Sequence, residues 1–335
     1  MIESVHFKNY KALRDTVLPL GKFTLIVGPN GSGKSTALEA LRGLGDPGTV
    51  SAESIATVGV SPTKTNPVEV SVKFTSPHPG VVASRTFLPS VRGLEFPSPK
   101  NPLPHAIRDQ LASYLGAIRV YSLQATAIDD PVKLEQNPQL QSNGAGLAGV
   151  LNDLIDQDRD RFDALNREVS RWFPEYEEIG FETTPQGLRA FFLRTTDGRH
   201  KIHATELSQG TLLGICMLTL AYLPEPPPLV CFEEPDHGLH PRLLRDVQDA
   251  LYRLSHPESC GEHRDPIQVV ATTHSPYMLD LYRDHPEQVV IAHKDRAEAR
   301  FERLVDQPHV DEILQGAPLG EVWYSGVLGG VPAEK

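Results

Sequence analysis

The sequence predicts an α/β fold: a mixed sheet with an antiparallel lobe near the N-terminus and a helical lobe in the middle of the chain. Three observations predict it. The β-branched run 23–27, FTLIV, passes through a glycine-rich loop straight into the helix formers of residues 37–41. Two further apolar runs, 229–232 and 267–272, each stop abruptly at polar residues, as buried strands do where a parallel sheet opens at its carboxyl edge. Residues 67–74 alternate apolar and polar with period two, the pattern of an antiparallel strand with one wet face.

Residues 28–36, GPNGSGKST, fit G-x-x-x-x-G-K-[ST] with Gly28, Gly33, Lys34 and Ser35 in the fixed places. A strand before and a helix after are the context that gives this motif its chemistry. Glycines admit positive φ and bring successive N–H groups close to a polyphosphate, and the following helix aims its positive end at the same point. Lys34 is then expected on the β and γ phosphates and the Ser35 hydroxyl on Mg2+. Ahead of the loop, residues 2–27 read as two strands around Asn9-Tyr10-Lys11, followed by the buried run. That turn either approaches the adenine or stands free in solvent.

Residues 43–67 are rich in Gly, Pro, Ser and Thr and read as loop; 81–88 pairs with 67–74 across 76–80, and prolines interrupt 96–104. A strand over 118–123 leads directly to Gln124. From Leu147 to Trp172 apolar residues recur at helical spacing until Pro174, with Asp158 on the apolar seam, so the stretch is two amphipathic helices or one interrupted helix. Asp156, Asp158 and Asp160 fall on different sides of such a helix and read as a solvated face. Residues 188–195 and 199–204 form a hairpin around Asp197-Gly198. Its Arg189, Arg194, Arg199 and Lys201 are either strand decoration or a contact for a nucleic-acid backbone.

Ser208 and Gly210 open the apolar helix 212–223, where orphan N–H groups and a hydroxyl together suit an anion. The strand 229–232 runs into Glu233-Glu234-Pro235, and adjacent carboxylates at the mouth of an apolar strand need a cation or water in front of them. Glu233 suits Mg2+, and Glu234 suits polarisation of an attacking water. The strand 267–272 ends at Thr273-His274-Ser275, which places His274 at the same edge.

The 335 residues carry a net charge of −11 and no run of five basic residues, so composition does not announce a nucleic-acid partner. Cys216, Cys231 and Cys260 lack metal-ligand spacing and suit a reducing compartment. The apolar run 212–223 is too short to cross a bilayer, and the first apolar run leads into the loop rather than a cleavage site. A soluble cytoplasmic protein without a membrane partner is expected.

In this order the motifs resemble those of the ATP-binding-cassette ATPases, and within them the SMC, RecF and OLD-nuclease-like branch. GPNGSGKST matches the Walker A loop, LSQGT at 207–211 the signature, LVCFEEPDHGLHP at 229–241 the Walker B strand and D-loop, and ATTHSP at 271–276 the switch histidine. The resemblance spans the chain to the tail LGEVWYSGVLGG at 319–330. It implies one P-loop ABC-ATPase head: an N-terminal lobe over 1–125, a helical signature lobe with an inserted hairpin over 126–228, and the Walker B and switch elements over 229–335.

The resemblance implies ATP and Mg2+ as ligands. Asn30, Gly31, Ser32, Gly33, Lys34, Ser35 and Thr36 would hold the phosphates. Ser35, Glu233 and, as Q-loop candidate, Gln124 would serve the magnesium. Glu234 would be the catalytic carboxylate, acting with Lys34 and with His274 on the γ-phosphate and water, while Ser208 and Gly210 would complete the site of the opposite protomer. A homodimer closed around two ATP, hydrolysing slowly, is implied. The 59 residues after Pro276 are too few for the TOPRIM domain of OLD nucleases, so a separate effector, a nuclease or toxin acting in phage defence, is expected. A RecF-like or SMC-like ATPase that binds DNA in repair or recombination is the alternative, and the EEP-x-x-x-LHP run disfavours a transporter subunit.

Overall fold

A computed structural model describes residues 1–45, 51–88, 94–97, 102–295 and 298–328. Parts of three expected segments lie outside the described residues: 46–50 of the first loop, 98–101 of the proline-rich stretch and 329–330 of the tail. The chain divides into two units, one made of 1–120, 227–234 and 266–335, the other of 121–226 and 235–265.

The first unit begins with β1 (Ile2–Tyr10), β2 (Leu13–Pro19), β3 (Phe23–Val27), α1 (Lys34–Gly45), α2 (Ala52–Ile55), β4 (Val68–Phe74), β5 (Val82–Phe87), β6 (Leu94–Glu95), α3 (His105–Gly116) and β7 (Arg119–Tyr121). The second continues with α4 (Ala125–Ile128), α5 (Leu147–Gln157), α6 (Arg159–Trp172), β8 (Tyr176–Thr183), β9 (Arg189–Thr195), β10 (Lys201–His203) and α7 (Gln209–Tyr222). The chain re-enters the first unit as β11 (Leu229–Glu233), leaves it for α8 (Leu244–Ser255), and returns as β12 (Gln268–Thr273), α9 (Pro276–Asp280), β13 (Val289–Asp295), β14 (Glu298–Arg303), α10 (Val310–Gln315) and α11 (Leu319–Tyr324).

Two sheets build the first unit. One is antiparallel with order β2-β1-β4-β5-β6, its inward faces set by period-two residues such as Val68, Val70 and Val72. The other has order β14-β13-β3-β12-β11-β7, with β13, β3, β12 and β11 mutually parallel and β14 antiparallel at the edge. Strands β3 and β12 are buried along their whole length, which is why both read as runs of apolar and small residues, save Gln268 at the start of β12, whose side chain donates to the Ile2 and Gly21 carbonyls. The buried stripe of α1, Ala37, Leu38, Ala40, Leu41 and Leu44, shares one core with residues of both sheets. Each such leucine contributes about 2 kcal/mol as an upper figure. Arg85, 7% exposed, closes the far end of α1 by donating from Nε at 3.1 Å and Nη2 at 2.7 Å to the Leu44 carbonyl.

In the second unit the apolar stretch is resolved into two helices. Asp158 leaves the helical path at φ −145° and its side chain accepts from the Arg161 amide at 3.1 Å, so the acid on the seam is the N-cap of α6. The hairpin β9–β10 gains a strand not read from the sequence: β8 pairs antiparallel with β9, in the order β10-β9-β8. Its alternation is weak because Gly180 holds a place where a Cβ would lie 2.3 Å from the Phe192 ring.

Candidate functional site

Strand β3 delivers the glycine loop to the carboxyl edge of the mixed sheet. Gly31 at φ +74° and Gly33 at φ +91° occupy the left-handed region, which L side chains avoid. Gly28 answers a different demand: a Cβ there would lie 2.5 Å from the Ala292 carbonyl oxygen and 2.7 Å from Ser32 Oγ. Lys34 is 5% exposed, and its ammonium spans the loop by donating to the carbonyls of Gly28 at 2.7 Å and Pro29 at 3.1 Å. Ser32 Oγ is buried without a hydrogen-bond partner, a polar atom that folding alone leaves uncompensated. Asn30, Gly31 and Ser35 are exposed and Thr36 half-buried, so the rim of the loop faces outward.

The parallel register sets the remaining groups beside it. Val27 lies opposite Thr273 and Glu233 opposite Thr272, so the loop, Glu233, Glu234 and His274 all leave the sheet at one edge. Glu234 has φ +47°, a left-handed conformation for a residue that is not glycine, and Pro235 follows it, where extended backbone is favoured. That conformation costs roughly 1–2 kcal/mol and is held by the Glu234 amide, which donates to the Thr272 carbonyl at 3.1 Å and to Thr272 Oγ1 at 3.2 Å. The result is a carboxylate turned to His274, with Glu234 Oε1 3.0 Å from His274 Nδ1. With a proton on Nδ1 the ring donates to the carboxylate. Thr273 Oγ1 accepts from the Ser275 amide at 2.9 Å and Ser275 caps α9, which fixes the backbone on the far side of His274.

The donors present suit a magnesium polyphosphate. Glu233 is half-buried at its strand end and forms no ion pair among the described residues. No group of three or more His, Cys, Asp or Glu able to hold a metal occurs among the described residues. A magnesium here would therefore have few protein ligands, the Ser35 hydroxyl and Glu233, with phosphate oxygens and water completing the shell, as is usual for this hard ion. The orphaned Ser32 hydroxyl and the buried Lys34 ammonium, which donates to the Gly28 and Pro29 carbonyls, fit the same ligand.

Ser208, Gly210 and Gln124 belong to the second unit. Ser208 is the N-cap of α7: its Oγ accepts from the Thr211 amide at 3.1 Å and lies 2.8 Å from Thr211 Oγ1. At Gly210 a Cβ would come no nearer than 3.4 Å to the Gly238 carbonyl, so packing within this unit does not demand glycine. Both residues line an open cleft of about 630 Å³ together with Gln209, Thr211, Gly238 and Arg242. Gln124 is exposed ahead of α4; its amide donates to the Asn143 carbonyl at 2.9 Å and its own carbonyl accepts from Ala127 at 2.9 Å. Those contacts make it a helix start.

The basic hairpin is largely engaged inside its own unit. Arg194 Nε pairs with Glu178 at 2.6 Å, Arg189 Nε donates to Asn152 at 2.7 Å, and Lys201 stands 4.4 Å from the centre of the Phe192 ring. Strand decoration accounts for these three cations.

Sequence reasoning missed the hairpin β13–β14, which walls the loop from the side away from β12. Ala292 packs on Gly28, Ala299 Cβ lies 2.9 Å from the Cβ position of Gly33, and Lys294 Nζ lies 3.1 Å from that of Gly31. The apolar run 289–292 ending at His293-Lys294-Asp295 carried the same strand-end signal as 229–234.

A family described as "AAA domain, putative AbiEii toxin, Type IV TA system" matches residues 23–280. An OLD nuclease from Thermus scotoductus is 51% identical over 41 residues, 12% of this chain and 8% of that protein, so the chain aligns with a small part of that relative's length. Among solved structures, an Smc head bound to the C-winged helix domain of ScpA is similar with TM-score 0.59 at 17% identity, over 90% of this chain and 96% of that one. An Smc head with an extended coiled coil bound to the C-terminal domain of ScpA, derived from Pyrococcus furiosus, gives TM-score 0.58 at 15% identity, over 90% and 95%. At these identities the likeness is one of fold: the P-loop fold of SMC heads.

Proposed function

Since the chain belongs to the AAA-domain family that matches residues 23–280, we propose that it is an ATP-hydrolysing switch whose two protomers close head to tail around two Mg-ATP and control a separate effector. One observation carries this reading. Three parallel strands in fixed register set the glycine loop, Glu233, Glu234 and His274 at one sheet edge, with Glu234 Oε1 and His274 Nδ1 3.0 Å apart.

The roles follow from the chemistry of each group. The loop amides and the Lys34 ammonium would neutralise phosphate charge, and Ser35 and Glu233 would hold the magnesium. Bound Mg-ATP supplies the phosphoanhydride whose cleavage makes the closed state temporary. Glu234 orients a water and accepts its proton at a carboxylate oxygen, and His274 holds that carboxylate in place through Nδ1. Ser208 and the N-terminus of α7 serve the site of the opposite protomer, which makes each site incomplete alone. Gln124 is the second unit's candidate for sensing the metal.

The effector is a nuclease or toxin in phage defence, by association with the family's description and the short OLD nuclease match. A cytoplasmic setting accords with the three free cysteines.

The test is Glu234→Gln beside Lys34→Ala, with ATP binding by calorimetry, phosphate release, and molar mass by light scattering in saturating ATP. Glu234→Gln is expected to bind ATP as wild type does, to lose at least about 100-fold in phosphate release, and to accumulate as a dimer. Lys34→Ala is expected to lose binding. A Glu234→Gln protein that stays monomeric in saturating ATP removes the closing switch from the proposal.

A further inference from the structure

The outer wall of the glycine loop carries a cation that none of the roles above uses. Strand β13 runs parallel to β3 with Ile291 opposite Val27, so its next residues stand beside the loop rather than beside the strand. Lys294, three positions on from Ile291, places Nζ 3.1 Å from where a Gly31 side chain would begin. The absence of a side chain at Gly31 gives that ammonium its room.

No carboxylate claims it. Lys294 enters no ion pair among the described residues. Glu298, on the partner strand of the hairpin, is engaged by Arg14 Nε at 3.2 Å, and strand alternation sends the adjacent Asp295 to the opposite face. The mount is firm although the side chain is exposed. Ala292 packs against Gly28, six residue pairs join β13 to β14, and the Ala299 amide donates to the Ala12 carbonyl at 2.9 Å. A four-carbon stem on such a mount carries its charge a few ångströms onto a ligand without moving backbone.

The local charge balance gives this cation a purpose. The protein carries a net charge of −11, and Glu233 and Glu234 leave the same sheet edge as the loop. Mg-ATP brought there still carries net negative charge, to which the two carboxylates add, so a further ammonium beside Lys34, the magnesium and the α1 N-terminus lowers the cost of holding it. Building on the nucleotide-binding reading above, we propose that Lys294 is a second phosphate-binding lysine, which neutralises the polyphosphate from the β13 side while Lys34 holds it from α1.

Calorimetric titration of the full chain with ATP at low and high salt tests it, using wild type, Lys34→Ala, Lys294→Ala and Lys294→Arg. Lys294→Ala is expected to bind ATP about tenfold more weakly at low salt, the size of one charge-assisted contact to an exposed group. The gap is expected to shrink at high salt, where an exposed charge is screened, and Lys294→Arg is expected to recover most of the affinity. Unchanged thermal melting accompanies all three results if the residue acts on the ligand. Wild-type affinity in Lys294→Ala at low salt overturns the inference, as does a loss that high salt leaves intact. If wild type binds ATP no better than Lys34→Ala, the nucleotide-binding reading itself falls. If those two differ and Lys294→Ala equals wild type, this inference alone falls.

Discussion

Gly33 combines a left-handed backbone with close packing against β14, and Gly33→Ala measures how tightly the loop is held there. Two costs arise. At φ +91° an alanine meets the left-handed penalty of roughly 1–2 kcal/mol. Its Cβ would also stand 2.9 Å from Ala299 Cβ and 3.1 Å from Leu13 Cδ2. Leu13 can yield at its far end, but Ala299 is fixed on β14, where its amide N–H donates a hydrogen bond to the Ala12 carbonyl. Overpacking of that kind costs about 1–3 kcal/mol, and alanine returns roughly 0.5–1 kcal/mol by restricting the unfolded chain. The net expectation is a loss of about 1–4.5 kcal/mol, whose centre is a large part of a typical folding stability.

Gly59→Ala is the matched control, because Gly59 has φ +83° with nothing within 4 Å of a Cβ. It suffers backbone strain alone and is expected to lose about 1 kcal/mol or less. Urea unfolding followed by fluorescence of buried Trp323, in a Trp172→Phe background, reports on the first unit in both variants. Equal midpoints for the two variants would refute the claim that β14 and the β1–β2 turn clamp the loop.

Two further expectations concern the interior. Cys216 and Cys231 are buried and burial pushes both thiols well above their ordinary range, whereas Cys260 is exposed. A disulfide-exchange reagent at mildly alkaline pH should titrate one thiol rapidly in the native protein and three in urea, and a second fast native thiol would contradict the packing. Asp158→Ala should destabilise the second unit by about 1 kcal/mol and Asp158→Asn should restore most of it. No loss in the alanine variant, read by circular dichroism on heating, would show that α6 does not depend on this cap.

Much of the site was legible because its signals are short-range. The loop needs glycines where φ is positive, a strand before and a helix after, and all three are written within residues 23–41. The ends of β11 and β12 announced themselves by apolar runs that break into Glu233-Glu234 and Thr273-His274. Asp158 could be seen to interrupt a seam, but its choice between bending one helix and capping a second depends on its own backbone conformation. The strand β8 escaped notice because Gly180 serves a neighbouring ring, a requirement that exists only once β9 lies beside it.

The amino-acid order alone determined the chemistry on offer: a phosphate loop, two strand-end carboxylates, a strand-end histidine, and a Ser-led helix. Those are properties of backbone freedom, capping and burial that act over a few residues, so they survive without knowledge of neighbours. Only the tertiary structure decided which strands stand side by side, and therefore that Thr273 lies opposite Val27 and Glu233 opposite Thr272. It also decided that Glu234 turns back through a left-handed conformation to His274, and that β13 carries Lys294 to the rim of the loop. Sheet order is chosen by burial summed over residues hundreds of positions apart, and no local pattern encodes that sum.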